Sequence, residues 1–99
     1  MPPVNPTTGP SFDPSLPYAL HPQVALRPES FGALAYHFGT RRLSFLKSRT
    51  LLAVVESLAA QPSGIDACRA AGVSPDELGD YERALATLAD SGMICERAT

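Results

Sequence analysis

The first half of the chain alternates. Val24 and Leu26 alternate with Ala25 and Arg27; Leu34, Tyr36 and Phe38 alternate with Ala33, Ala35 and His37; Leu43 and Phe45 alternate with Arg42 and Ser44. A period of two marks half-buried antiparallel strands. Pro28-Glu29-Ser30-Phe31-Gly32 and Gly39-Thr40-Arg41 are short enough for hairpin loops. The pattern therefore predicts a three-stranded meander with residues 33–38 in the middle. Beyond it the period lengthens. Leu51, Val54, Val55, Leu58 and Ala59 have helical spacing behind a Ser48 cap. Ser63-Gly64-Ile65-Asp66 is a capping box for a short second helix through Ala71, stopped by Gly72. Ser74-Pro75-Asp76-Glu77 starts a third: a Ser cap, Pro at the first helical position and Glu reaching back. Leu78, Tyr81, Leu85 and Leu88 then recur on one face until Gly92, and Met93-Ile94-Cys95 is a short apolar closing segment. Strands followed by helices predict an α+β domain, winged helix-turn-helix-like, with a three-stranded antiparallel sheet followed by three helices.

Composition sets the boundaries. The chain has 99 residues, enough for one domain. Of its ten prolines, eight lie at or before Pro28. Proline removes a backbone donor and disfavours helix at the preceding residue. Residues 1–20 are therefore expected to be an extended, largely disordered tail, with Phe12 and Tyr18 clipping its last part onto the domain. The folded unit is expected over residues 21–94, with 95–99 a C-terminal tail. A unit that small buries only about 60% of its unfolded surface. No apolar run reaches the length of about 18 residues that a membrane span needs, and the N-terminal residues lack the pattern of a secretory signal. Two cysteines, Cys68 and Cys95, are too few for a disulfide scaffold and suit a reducing cytoplasm.

The search for chemistry is negative. There is no Ser/His/Asp order with local support, no phosphate-binding glycine loop and no paired carboxylate motif. His21 and His37 sit at a strand entry and on a strand face, where histidine is usually structural or superficial. Cys68 lies within a short helix and reads as a small core residue. Without CxxC spacing a zinc site is not expected. No catalytic residues, metal or cofactor are assigned, and the chain is read as non-enzymatic. Winged-helix DNA binding is the alternative, since Ala70-Ala71-Gly72-Val73-Ser74-Pro75 makes a tight turn between helices. Charge opposes it: from Asp76 to Asp90 there are the acids Asp76, Glu77, Asp80, Glu82 and Asp90 against Arg83 alone. A phosphate-facing helix needs the opposite sign.

Peptide binding fits better. A three-stranded meander has two open edges, each a row of unpaired backbone groups. Pro22 and Pro28 bracket the first strand and blunt its edge. Residues 29–61 contain no proline, so the third strand, Arg42, Leu43, Ser44, Phe45 and Leu46, can accept another strand. The third helix would form the opposite wall, and Arg41 and Arg42 would attract an acidic peptide. An edge covered by the chain's own tail or by a dimer mate is the competing reading, and open edges also permit a homodimer.

Two stretches carry a family resemblance: His21-Pro22-Gln23-Val24-Ala25-Leu26-Arg27-Pro28-Glu29 with Phe31-Gly32-Ala33-Leu34, and Tyr36-His37-Phe38-Gly39-Thr40-Arg41-Arg42-Leu43-Ser44-Phe45-Leu46. They resemble the mycofactocin-system peptide chaperone (MftB) family, which is similar to the PqqD-like recognition elements for ribosomally made, modified peptides. The resemblance covers residues 20–94 and is most specific over 21–46. It implies a non-catalytic, cytoplasmic chaperone that binds the ribosomal mycofactocin precursor peptide and presents it to a radical-SAM enzyme, with no nucleic acid or membrane partner. It also implies that the leader segment pairs with the third strand, residues 42–46, and packs against the third helix, with Tyr81, Ala84, Leu85 and Leu88 as wall candidates. Leu78, Leu85 and Leu88 share one helical stripe, which is equally the pattern of a core face.

Overall fold

The structure is a computed structural model that describes residues 12–97. Its elements follow in the order β1 (Tyr18–Leu20), β2 (Val24–Glu29), β3 (Gly32–His37), β4 (Leu43–Leu46), α1 (Arg49–Ser57) with a 3-10 turn at Leu58–Ala60, α2 (Gly64–Ala70), α3 (Leu78–Asp90) and β5 (Ile94–Glu96). The α+β class, the antiparallel meander and the three helices agree with the periodicity. β2, β3 and β4 form one sheet in that order, and β1 pairs with β5 in a second. Among the described residues no helix is long and apolar enough to cross a membrane.

The second sheet was not anticipated. Residues 1–11 of the expected tail lie outside the described residues. Residues 12–20, assigned to the same tail, are packed onto the domain, and Tyr18 is buried. Proline forbids helix but not extended chain, so a Pro-rich lead-in can still end in a strand. Tyr18 pairs with Glu96, Ala19 with Cys95 and Leu20 with Ile94. The Tyr18 ring stacks on Phe12 at 4.8 Å, and its hydroxyl accepts from the Asp13 N–H at 3.0 Å. Arg97 closes the seam. Its Nε donates to the Tyr18 carbonyl at 3.1 Å and its Nη1 to the Ala59 carbonyl at 3.2 Å, while Nη2 donates to the Gln61 carbonyl. Cys95, Glu96 and Arg97, expected in the C-terminal tail, are instead part of the domain: Cys95 and Glu96 pair with β1, and Arg97 ties three segments together.

Capping chemistry placed two helices well. The Ser48 hydroxyl accepts from the Leu51 N–H, and the Ser63 hydroxyl accepts from the Asp66 N–H and donates to the Asp66 carboxylate. At the third start the signal came early. Ser74 to Glu77 forms a turn in which the Glu77 N–H bonds the Ser74 carbonyl, and helix α3 begins at Leu78 without a side-chain cap.

The core lies between the meander and the helices; β2 turns Val24 and Leu26 inward as its alternation suggests, but in β3 and β4 the pattern is inverted. Alternation of large and small apolar residues ordinarily turns the large ones inward. In β3 the small residues are inside: Ala33 and Ala35 are buried with His37, while Leu34 and Tyr36 face the other way. The register carries this through the sheet, since Ala35 faces Ser44, Ala33 faces Leu46, and Leu34 faces Phe45. Helix α1 packs across β3 through Leu51, Val54 and Val55. Alanines beneath a helix let backbone and helix approach closely, and a buried leucine or valine then contributes about 1.5–3 kcal/mol.

Gly32 is where sheet and helix meet. Its φ is +148°, and a Cβ there would lie 2.0 Å from the Leu46 carbonyl oxygen and 2.8 Å from the Ser48 nitrogen. Both neighbours are backbone and cannot yield. Gly32→Ala should therefore cost at least about 2 kcal/mol by urea denaturation; a stability within 0.5 kcal/mol of wild type, roughly the scatter of a neutral surface change, would contradict the close crossing.

Candidate functional site

In an antiparallel pair, hydrogen-bonded and non-bonded residue pairs alternate. The His37 N–H donates to the Arg42 carbonyl at 2.9 Å, so Ala35–Ser44 and Ala33–Leu46 are the bonded pairs in the β3–β4 register. Leu43 and Phe45 consequently turn their N–H and C=O groups to the outer edge of β4, where no other described strand pairs with them. The same alternation applies to β2. Its Val24, Leu26 and Pro28 turn their backbone to the outer edge, and Pro28 carries no N–H to offer there. The two edges differ as expected, one blunted and one supplied with donors and acceptors.

The loop feeding β4 is held from below. The chain reverses over residues 38–41, with the Arg41 N–H bonded to the His37 carbonyl at 2.7 Å. His37 is 4% exposed. Its Nδ1 accepts from the Gly39 N–H at 3.0 Å and the Thr40 N–H at 3.1 Å, and its ring stacks on His21 at 4.5 Å. The histidine is structural, as its position on a strand face suggested. Arg41 takes a left-handed conformation, φ 63°, which non-glycine residues rarely adopt. It and Arg42 are exposed at the mouth of the edge.

A shallow pocket of about 230 Å³ opens between α3 and the start of α1, just past the end of β4, lined by Lys47, Ser48, Leu51, Glu77, Asp80, Tyr81 and Ala84. Of the helix residues named as wall candidates, Tyr81 and Ala84 face this pocket. Leu85 and Leu88 are buried in the core at 0% and 5% exposure. Of the strand candidates, Leu43 and Phe45 are exposed on the outer face, Ser44 is half-buried, and the Leu46 side chain is wholly inside. Lys47, Glu77 and Asp80 were not foreseen; no spacing in the sequence brings Lys47 opposite a helix thirty residues on. The pocket is bipolar, with Lys47 on one wall and Glu77 and Asp80 on the other, Asp80 being tied to Arg83.

Cys68 is fully buried, and burial raises its thiol pKa, with the Glu82 carboxylate adding to the shift. Cys95 is half-buried in β5. Among the described residues no three His, Cys, Asp or Glu side chains are grouped to hold a metal ion.

The comparisons supply the class. The chain matches a family of peptide chaperones, the Peptide chaperone MftB family, over residues 17–95. It is 58% identical over 88 residues to the Peptide chaperone MftB of Mycobacterium tuberculosis, covering 89% of this chain and 81% of that protein. It is 61% identical over 84 residues to its namesake in Mycobacterium ulcerans, covering 85% and 77%, and 55% identical over 84 residues to that of Mycolicibacterium smegmatis, covering 85% and 82%. No solved structure matches the chain significantly. The chain belongs to the Peptide chaperone MftB family.

The loop below the candidate edge can be tested directly. His37→Leu fills much of the same space but leaves the Gly39 and Thr40 N–H groups without their acceptor, at a cost of about 1–3 kcal/mol. Hydrogen exchange at Gly39 and Thr40 should accelerate in parallel; unchanged protection at both would show that the ring does not hold the loop.

Proposed function

We propose that this chain is a non-catalytic, cytoplasmic chaperone that binds the mycofactocin precursor peptide by strand addition to β4 and presents it to a radical-SAM enzyme. In this reading the domain is a winged-helix-like recognition element. The observation that carries it is the β4 edge, with Leu43 and Phe45 directing backbone donors and acceptors outward next to a pocket on α3. An extended leader would continue the sheet, and its alternate side chains would reach Tyr81 and Ala84. Arg41, Arg42 and Lys47 would favour carboxylates on the strand side of the leader, and Glu77 and Asp80 basic groups on the helix side. A disordered leader loses chain entropy on docking, so its affinity per contact is modest. Holding it beside the enzyme raises its effective concentration at the active site, and no chemistry is asked of this chain. The acids of α3 and the pocket wall oppose the DNA-binding alternative.

Proline substitution separates edge from ladder. The Ser44 N–H faces β3, so Ser44→Pro should unravel the sheet itself. Phe45→Pro removes an outward donor together with the exposed ring, and Phe45→Ala, which removes the ring alone, is its control; proline is tolerated at such positions on edge strands. The Phe45→Pro protein should keep its circular dichroism spectrum and bind a synthetic leader peptide about tenfold more weakly than the Phe45→Ala protein by calorimetry, the loss of a hydrogen bond plus the clash of the proline ring. Affinity equal to that of the Phe45→Ala protein in the folded variant would rule out strand addition at β4.

The electrostatic component has its own readout. Reversing Arg41 and Arg42 to Glu should weaken leader binding and flatten its dependence on salt. A salt profile identical to wild type would remove these arginines from the site.

A further inference from the structure

The inversion in β3 and β4 leaves an apolar surface uncovered. On the side of the meander away from the helices stand Leu34 and Tyr36 from β3, Leu43 and Phe45 from β4, and Phe31 and Phe38 from the two loops. Phe31 is 46% exposed, Phe38 60%, Leu43 54% and Phe45 57%. The rings are organised rather than scattered: Phe31 lies 6.1 Å from Phe45, and Tyr36 meets Phe38 edge-on at 5.2 Å. Scattered single apolar residues on a surface need no explanation, but a contiguous aromatic patch marks an interaction site. The inner face already holds the core, so these residues are free of any structural duty that would require them to be large.

Charge identifies the occupant. Arg27 stands on this face opposite Leu34, and its side chain is 80% exposed despite an ion pair with Glu29 at 3.0 Å. Glu29, on the same face, is the less exposed half of that pair at 31%, so the face offers its partner a cation. A protein surface that is apolar at its centre and rimmed by carboxylates is the complementary partner.

Position identifies its role. The patch runs to the β4 edge, whose outward residues Leu43 and Phe45 belong to both. A peptide strand added to β4 would widen the same sheet, and every second peptide side chain would stand on the same outer face. We infer that the outer face of the β2–β3–β4 sheet is the docking surface for the peptide-modifying enzyme, which would seat on sheet and bound peptide together through an apolar, acid-rimmed surface of its own. This rests on the peptide-chaperone reading above and adds to it the surface through which the peptide is handed on.

Phe31 and Phe38 lie off the β4 edge, so their replacement separates docking from peptide binding. The Phe31→Ser/Phe38→Ser double variant of the full chain is compared with wild type against two probes, a synthetic leader peptide and the purified mycofactocin radical-SAM enzyme. The expected result is leader affinity within twofold of wild type and enzyme affinity reduced at least about tenfold, the effect of removing anchor side chains from an interface centre. Arg27→Glu, which leaves the aromatic patch intact, should also weaken enzyme binding and reduce its salt sensitivity. Unchanged enzyme affinity in both variants overturns the proposal. So does loss, in the double variant, of wild-type self-association in sedimentation velocity or of binding to phosphatidylglycerol vesicles while enzyme affinity is kept; those results would assign the face to a second copy or to a membrane. Variant-sensitive enzyme binding by a wild-type protein that binds no leader would sink the peptide reading and leave the docking surface standing.

Discussion

A strand residue is committed twice by one period of two. Its side chain points to one face of the sheet, and its backbone points to one neighbouring strand, and the two choices alternate together. In this domain the register Ala35–Ser44 and Ala33–Leu46 sets both at once. Ser44 and Leu46 turn side chains to the helices and backbone to β3. Leu43 and Phe45 turn side chains to solvent and backbone to the open edge. A slip of one residue would exchange the buried alanines for Leu34 and Tyr36 and would reverse the free donors as well. The core, the open edge and the aromatic face are consequences of the same register.

That register is itself pinned by close approach. Gly32 admits the Leu46 carbonyl and the Ser48 backbone to a distance that a side chain would forbid. Immediately afterwards the Ser48 hydroxyl caps α1, so the helix starts at a fixed point above β3 and finds Ala33 and Ala35 beneath it. At the far end of the hairpin, His37 accepts two loop N–H groups and keeps the turn into β4 in place. The edge strand has only four residues. Gly32 and His37 hold its two ends.

The second sheet solves a different problem. A domain of this size has little core to spare. Pairing β1 with β5 joins the first and last described strands, buries Tyr18 and Ile94, and gives Arg97 three carbonyls to hold. The domain thereby extends to both sides of the meander–helix unit, and the family match over residues 17–95 includes β1 and the first two residues of β5.

Much of the architecture could be read from the residues in order. Period-two alternation, the Ser48 and Ser63 caps and the stops at Gly72 and Gly92 are local signals, and local backbone chemistry obeys them. The distribution of proline distinguished the blunted edge from the open one, because a missing N–H is a property of the residue itself. Other features were not legible. Alternation shows that a strand has two unlike faces but not which one the helices will cover; that depended on alanines allowing α1 to sit close to β3, a matter of volume between elements far apart in sequence. The β1–β5 pairing, the division of the α3 stripe into pocket-facing Tyr81 and Ala84 and core-facing Leu85 and Leu88, and the arrival of Lys47 opposite Glu77 and Asp80 are likewise long-range. The sequence alone determined the three strands of the meander, the three helices and which of the two meander edges carries a proline, since those follow from each residue's own backbone and its near neighbours. Only the tertiary structure decided which face is core and which is surface, because burial is settled by what packs against a strand and not by the strand itself.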